Sequence, residues 1–289
     1  MFMLLRPKNS VNKTIPLTNR KTQYSFSYKI LRSHMNIFKN AMVRKPGRNL
    51  AQGLSTAGLG PPIYEKAQAQ HDAYIAALRS CGLLVTVLEA DDRFPDSVFI
   101  EDTAIVCEKT AVITRPGAPS RRGEEEAVAK ALKRFYDRPE NIVAPGTLEG
   151  GDVFMAGDRF YIGVSARTNE EGARQLAVLM EKHGYSATPM LLRDALHLKT
   201  GVAYIENNRL LACGEFLNHP LLSGFEIVPV APSEAYAANS IWVNGRVLVP
   251  AGFEKTRKTI ERLGYEVLSV DVSEFRKLDG GLSCLSLRF

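Results

Sequence analysis

The chain holds no run of about 18–20 apolar residues, so it offers no helix able to cross a bilayer. Cysteine is sparse: Cys81, Cys107, Cys213 and Cys284 are scattered, with no CxxC pair and no histidine at ligand spacing. That argues against a structural zinc site and a secreted disulfide scaffold. It points to a reducing, cytoplasmic setting in which a reactive thiol stays available. GxGxxG and P-loop patterns are also missing, so a nucleotide cofactor has no support. Acidic residues are absent from positions 1–34, which carry seven Lys or Arg. Removing those seven from the 37 basic residues leaves 30 against 31 acidic ones, so the net charge of +6 belongs to this segment. A near-neutral body has no general attraction for phosphate backbones, and nucleic acid is not an expected partner.

With 45% hydrophobic and 24% charged residues, the 289-residue chain reads as an ordinary globular protein able to bury a full core. Residues 1–34 are rich in Asn, Ser, Thr and Lys, lack periodicity and lack the apolar centre of a secretory signal. They read as a basic, disordered extension, or as sequence upstream of a true start at Met35. One domain is expected over residues 35–289.

Three segments repeat one design, an amphipathic helix, a Gly stop and a β-branched run. They are Tyr64–Cys81 with Gly82 and Leu83–Leu88, Asn169–His183 with Gly184 and a strand toward Leu191, and Lys255–Leu263 with Gly264 and Val267–Val270. Gly past a helix end closes the last turn in the left-handed conformation, and the run after it suits a buried strand. Hairpins are expected around Asn207-Asn208 and Asn244-Gly245, and another helix near Glu124–Tyr136. The gaps between Gly82, Gly184 and Gly264 leave room for further copies at a period of about 40–50 residues. The pattern reads as an α/β repeat closing on itself, sheets inside and helices outside, rather than a doubly wound sheet.

Five segments could carry chemistry. Asp279-Gly280-Gly281-Leu282-Ser283-Cys284 places a cysteine in what reads as a short apolar strand after a flexible Gly-Gly. Taken alone, such a cysteine is more often a small core residue than a nucleophile. Leu148-Glu149-Gly150-Gly151-Asp152 is a second Gly-Gly turn between acids, entering a strand; its bland reading is a turn with two solvated carboxylates. His197 alone among the five histidines lies between leucines, and a thiol nucleophile needs a partner that titrates near neutrality. Alternation over 96–102 would put Asp96 on one face and Glu101 on the other; buried carboxylates there are costly unless they meet cations. Arg121 follows a Pro/Gly loop and Arg167 ends a strand; planar guanidinium forks suit a carboxylate. Acids seeking a cation and arginines seeking an anion suggest a zwitterionic amino acid with a basic side chain.

Together DSVFIEDTA, TRPGAPSRR, LEGGD, LHLKTG and DGGLSC, in this order from about Phe38 to Phe289, resemble the dimethylarginine dimethylaminohydrolases of the guanidine-modifying superfamily. The resemblance implies a five-bladed, pseudo-symmetric α/β propeller of ββαβ-type repeats, hydrolysing methylated arginine to citrulline and a methylamine. It implies Cys284 as nucleophile, His197 as general acid/base and Glu149 as the acid that orients His197. It further implies Asp96 as the main guanidinium carboxylate, supported by Glu101 and Asp102, and Arg121 with Arg167 as clamps on the α-carboxylate. The backbone at Leu278 and Asp279 would receive the α-amino group, and Gly53-Leu54-Ser55 would form a mobile lid. No metal or organic cofactor is implied. The expected partner is a small-molecule guanidine, with a homodimer as the assembly and no nucleic acid or membrane. Some relatives carry a second cysteine beside the nucleophile, where Leu285 stands here. An arginine deiminase or an amidinotransferase could use the same groups, and a non-catalytic module on the same fold ranks last.

Overall fold

Short β-branched strands and tight turns set the architecture. In the computed structural model, which describes residues 37–289, fifteen strands form five three-stranded sheets. They are β1 (Asn40–Arg44), β2 (Leu84–Leu88), β3 (Ala104–Val106), β4 (Ala111–Ile113), β5 (Glu140–Asn141), β6 (Val153–Ala156), β7 (Arg159–Val164), β8 (Ser186–Leu191), β9 (Val202–Tyr204), β10 (Arg209–Ala212), β11 (Glu226–Pro229), β12 (Ile241–Val243), β13 (Arg246–Pro250), β14 (Glu266–Val270) and β15 (Leu287–Arg288). Each middle strand pairs antiparallel with its inner neighbour and parallel with its outer one, as β7 does with β6 and β8. The parallel step needs a crossover. Helices α1 (Tyr64–Ser80), α2 (Glu125–Leu132), α3 (Glu170–Lys182) and α4 (Glu254–Arg262) supply it in four blades, and two 3-10 turns at Gly214–Phe216 and Pro220–Leu222 in the fifth.

This is a five-bladed α/β propeller. It closes when β15, at the chain's end, pairs antiparallel with β1, Ala41 opposite Arg288. The inner strands β3, β6, β9, β12 and β15 begin at 104, 153, 202, 241 and 287, spacings within or beside the expected period. Two blades escaped the helix-Gly-strand signature because α2 ends without a glycine and the blade of β9–β11 has no long helix. Asn36–Phe289 forms one compact unit, and the basic segment 1–34 lies outside the described residues.

Gly82, Gly184 and Gly264 have φ of 88°, 80° and 92°, the left-handed stops expected of them. Asn244 and Gly245, at 49° and 95°, make the two-residue turn between β12 and β13. The strands after the glycine stops differ from expectation. β2, β8 and β14 are the outer edges of their blades and half exposed, whereas the buried strands are the middle ones, such as Met42 and Val43 of β1. An edge strand keeps its β-branched residues for the face under the helix while the other face meets water.

Candidate active site

All five motifs meet at one end of the propeller, around a cleft of about 170 Å³. It is lined by Leu54, Asp96, Asp102, Arg121, Glu149, Arg167, His197, Leu278, Asp279 and Cys284 among others. The residues arrive on irregular backbone, not on strands. Ile100–Thr103, Gly150–Asp152 and Ser283–Leu285 are single 3-10 turns, each immediately before or beside an inner strand. Two expectations are thereby corrected: 96–102 does not alternate as a strand, and Cys284 precedes β15 rather than lying within it. Asp96, Glu101 and Asp102 are all buried, because the turn folds the three acids inward together.

The glycine pairs also act otherwise than expected. A Cβ on Gly150 would stand 2.0 Å from the carbonyl oxygen of Glu101, and one on Gly280 would stand 2.2 Å from the Phe99 ring. The close approach is to protein rather than to a ligand, and it brings the acid turn against the glutamate turn.

Glu149 has no solvent exposure. Its Oε1 accepts from the Ala118 N–H at 3.1 Å, and its Oε2 lies 2.9 Å from Nε2 of His197. Burial alone would lower the imidazolium pKa; the bond to Glu149 and the charges of Asp102, Asp152 and Glu149 outweigh it and lift His197 to about 9. Cys284 Sγ accepts from the Gly281 N–H at 3.3 Å. Burial, then the negative charges of Glu101 and Asp102, push its thiol up to about 12. The site rests as thiol plus imidazolium.

Asp96 accepts from the Leu54 N–H at 3.0 Å, and burial raises its carboxyl above the usual range. Burial also opposes the Asp102 charge, but Arg121 and His197 outweigh it and hold its carboxyl at about 2. Glu101 Oε1 receives the Lys199 ammonium at 2.5 Å, and its Oε2 the Ser283 hydroxyl at 2.7 Å. The two arginines differ. Arg121 is buried, donating to Glu124 at 2.8 Å, Asp102 at 2.6 Å and the carbonyls of Asp96 and Phe99. Arg167, 23% exposed, has an ion-pair contact among the described residues with Glu149 alone, at 3.7 Å, and presents a nearly whole fork. Leu54, Ser55 and Thr56 cross the mouth, tied to Asp96, the Lys277 carbonyl and the Asp279 carboxylate. Asp279 has φ of 59°, a left-handed non-glycine residue at the cleft wall.

Asp102, Glu149 and His197 are near enough to share a metal ion. The carboxylate oxygens and His197 Nε2 are already engaged, with Gly151 N–H and Arg121 on Asp102, and Ala118 N–H and His197 on Glu149. This is a hydrogen-bonded acid–imidazole relay.

A sequence model described as "N,N dimethylarginine dimethylhydrolase, eukaryotic" matches residues 61–285. A Pseudomonas aeruginosa N(G),N(G)-dimethylarginine dimethylaminohydrolase is 54% identical over 254 residues, 88% of this chain and 100% of that protein. The chain belongs to the dimethylarginine dimethylaminohydrolase family. A Streptomyces coelicolor member is 37% identical, over 86% of this chain and 96% of its own. A solved P. aeruginosa structure of the family, a cysteine-to-serine mutant complexed with citrulline, superposes with a TM-score of 0.87 over 88% of this chain and 100% of that one. The N-terminal domain of a cyanobacterial arginine dihydrolase, 18% identical, shares the fold with a TM-score of 0.78.

Sequence reasoning passed over four residues around this cleft. Asp152, far from being solvated, is fully buried and accepts from the Leu198 N–H at 3.0 Å and the Ser165 hydroxyl at 2.7 Å. Lys199 lies inside a motif already singled out, and its use is visible only once Glu101 is opposite. Tyr236 donates to the Gly280 carbonyl, and Asn239 bridges Lys199 and Ser283. Their segment carries no pattern that would have marked them.

Proposed function

We propose that the chain hydrolyses N-ω-methylated arginine to citrulline and a methylamine. The observation that carries this reading is one cleft holding Cys284, the His197–Glu149 pair, a buried carboxylate at Asp96 and an open guanidinium at Arg167. The guanidinium seats on Asp96 and the α-carboxylate on Arg167, assisted by Arg121. The α-amino group meets the backbone at Leu278 and Asp279.

Binding a cation beside Cys284 counters the charges of Glu101 and Asp102, so the thiol releases its proton as substrate enters. The thiolate attacks the guanidinium carbon and forms a C–S bond. His197, already an imidazolium, protonates the leaving nitrogen as its C–N bond breaks, and the amine departs. The neutral imidazole then takes a proton from water, whose oxygen bonds to the same carbon. Collapse breaks the C–S bond, the sulfur recovers a proton, and citrulline leaves. Each half-reaction uses the protonation state of His197 left by the other.

Four free cysteines suit a reducing cytoplasm, and no helix among the described residues is long and apolar enough to cross a membrane. A homodimer remains the proposed assembly, with the catalytic domain at 35–289. The test is citrulline production by the purified chain from dimethylarginine, monomethylarginine and arginine. The methylated substrates are expected to react, with Cys284→Ser inactive. Turnover of arginine alone would move the chain to a deiminase reading, and folded protein making no citrulline would end the hydrolase one.

A further inference from the structure

The hydrolytic half-reaction needs water at a carbon that is then bonded to Cys284. In the proposed seating the rest of the attached amino acid fills the cleft, whose wall includes Leu54, Ser55 and Thr56. The opposite side is different. A chamber of about 30 Å³ lies against both Cys284 and His197, behind the cleft. A water needs roughly 10–15 Å³ and two to four polar partners. Thr200, Ser283, Tyr236 and His197, each with a polar side-chain group, line this chamber.

Beyond it runs a second space of about 160 Å³ along the propeller axis. Val106, Phe154, Ala203, Ile241 and Leu287 line it, one from each inner strand β3, β6, β9, β12 and β15. Ser240, Ser286 and Arg288 interrupt the apolar wall with polar partners. Glu101, Lys199, Asn239 and Ser283 face both spaces. They form a thin hydrogen-bonded partition: Lys199 to Glu101 at 2.5 Å, Ser283 to Glu101 at 2.7 Å and Asn239 to Ser283 at 3.0 Å. Arg288 also stands 3.8 Å from Glu101, so that carboxylate keeps a cation beside it when a water takes the place of one of its partners.

We propose that the water consumed in hydrolysis is held in the chamber behind Cys284 and is replenished through the axial pore, across the Glu101–Lys199–Ser283–Asn239 partition. The inference rests on the hydrolase reading and adds a route to it. In the step it serves, the chamber water's oxygen forms the C–O bond and one of its protons passes to His197. The C–S electrons return to sulfur, which takes the other proton. A back entrance lets substrate fill the cleft completely while its second reactant still arrives.

The test plugs the pore far from the reacting atoms, with Ala203→Phe on β9 and, from the opposite wall, Val106→Phe on β3. Thermal melting and citrulline binding report that each variant keeps its fold and cleft. Acid quench and intact-protein mass then follow formation and decay of the Cys284 adduct in a single turnover of dimethylarginine. Formation within two-fold of the parent, with decay slowed at least ten-fold and the adduct accumulating at steady state, is expected in whichever variant folds. Decay at the parent rate in a folded variant overturns the route, as does equal slowing of both steps, which would mean a disturbed cleft. If the parent chain forms no adduct and no citrulline, the hydrolase reading itself has failed.

Discussion

Nε2 of His197 stands 2.9 Å from a carboxylate oxygen of Glu149, a side chain wholly removed from solvent. One oxygen of this buried carboxylate takes the Ala118 N–H and faces Arg167 at 3.7 Å, and the other is left to the imidazole. That contact holds His197 as an acid at neutral pH while Cys284 waits as a thiol.

Replacing Glu149 by Gln keeps the shape and removes the charge. His197, held at about 9, should fall toward its ordinary value near 6.5. At pH 8 the imidazolium fraction would then drop roughly 30-fold, and kcat with it. The alkaline limb of the pH–rate profile should move to lower pH. An unmoved limb, or an unchanged His197 resonance in an NMR titration, would show that Glu149 does not set this pKa.

Stability should depend on pH through the same groups. His197 has a raised folded pKa, so its contribution is complete below about 6.5 and is lost as pH rises through about 9, worth at most ~3 kcal/mol. Asp102, depressed to about 2, contributes above its unfolded value near 4 and loses that contribution as pH falls toward 2. The Tm difference between the parent and His197→Asn should therefore shrink between pH 6.5 and 9. A difference constant across that range contradicts the assignment.

The two arginines should separate cleanly. Arg121 sits in a buried network with Asp102 and Glu124, so Arg121→Ala leaves two buried acids bare and should cost about 3–5 kcal/mol of stability. Arg167→Ala should leave the melting temperature within a degree or two. Its KM should rise by about 10–100-fold, the loss of one charge-assisted contact to a carboxylate. Melting curves beside steady-state kinetics decide it, and a large Tm loss in Arg167→Ala would reverse the roles.

Asp96→Asn tests where the cation sits. The charge on Asp96 should matter to dimethylarginine and little to uncharged citrulline. Substrate affinity should fall by about 10–150-fold, with product affinity nearly kept. Calorimetric titration of an inactive Cys284→Ser background with both ligands measures the contrast, and equal losses for the two would remove Asp96 from the guanidinium site.

Much of the propeller follows from local chemistry. Glycines at 82, 184 and 264 and the Asn244-Gly245 turn stop and reverse the chain wherever it is built, because only those residues accept a left-handed backbone without strain. The period of the blades is carried the same way, except where α2 lacks a glycine stop and where two 3-10 turns replace a helix.

Cys284, His197 and Glu149 could be named from sequence through their motifs, but their chemistry could not. A cysteine between Ser283 and Leu285 reads as a core residue, and nothing in its neighbours along the chain raises its thiol to about 12; burial does so first, then two acids about 180 residues away. Likewise Asp152 reads as a solvated turn residue until the burial of its turn shows otherwise. Sequence determined the strands, the stops and which functional groups the chain possesses, since each depends on neighbours a few residues apart. Only ring closure by β15 on β1 brought the five motif turns to one end of the axis. Burial, Coulomb interaction and the split between an anchored Arg121 and an open Arg167 depend on through-space distance, and the tertiary structure alone decided them.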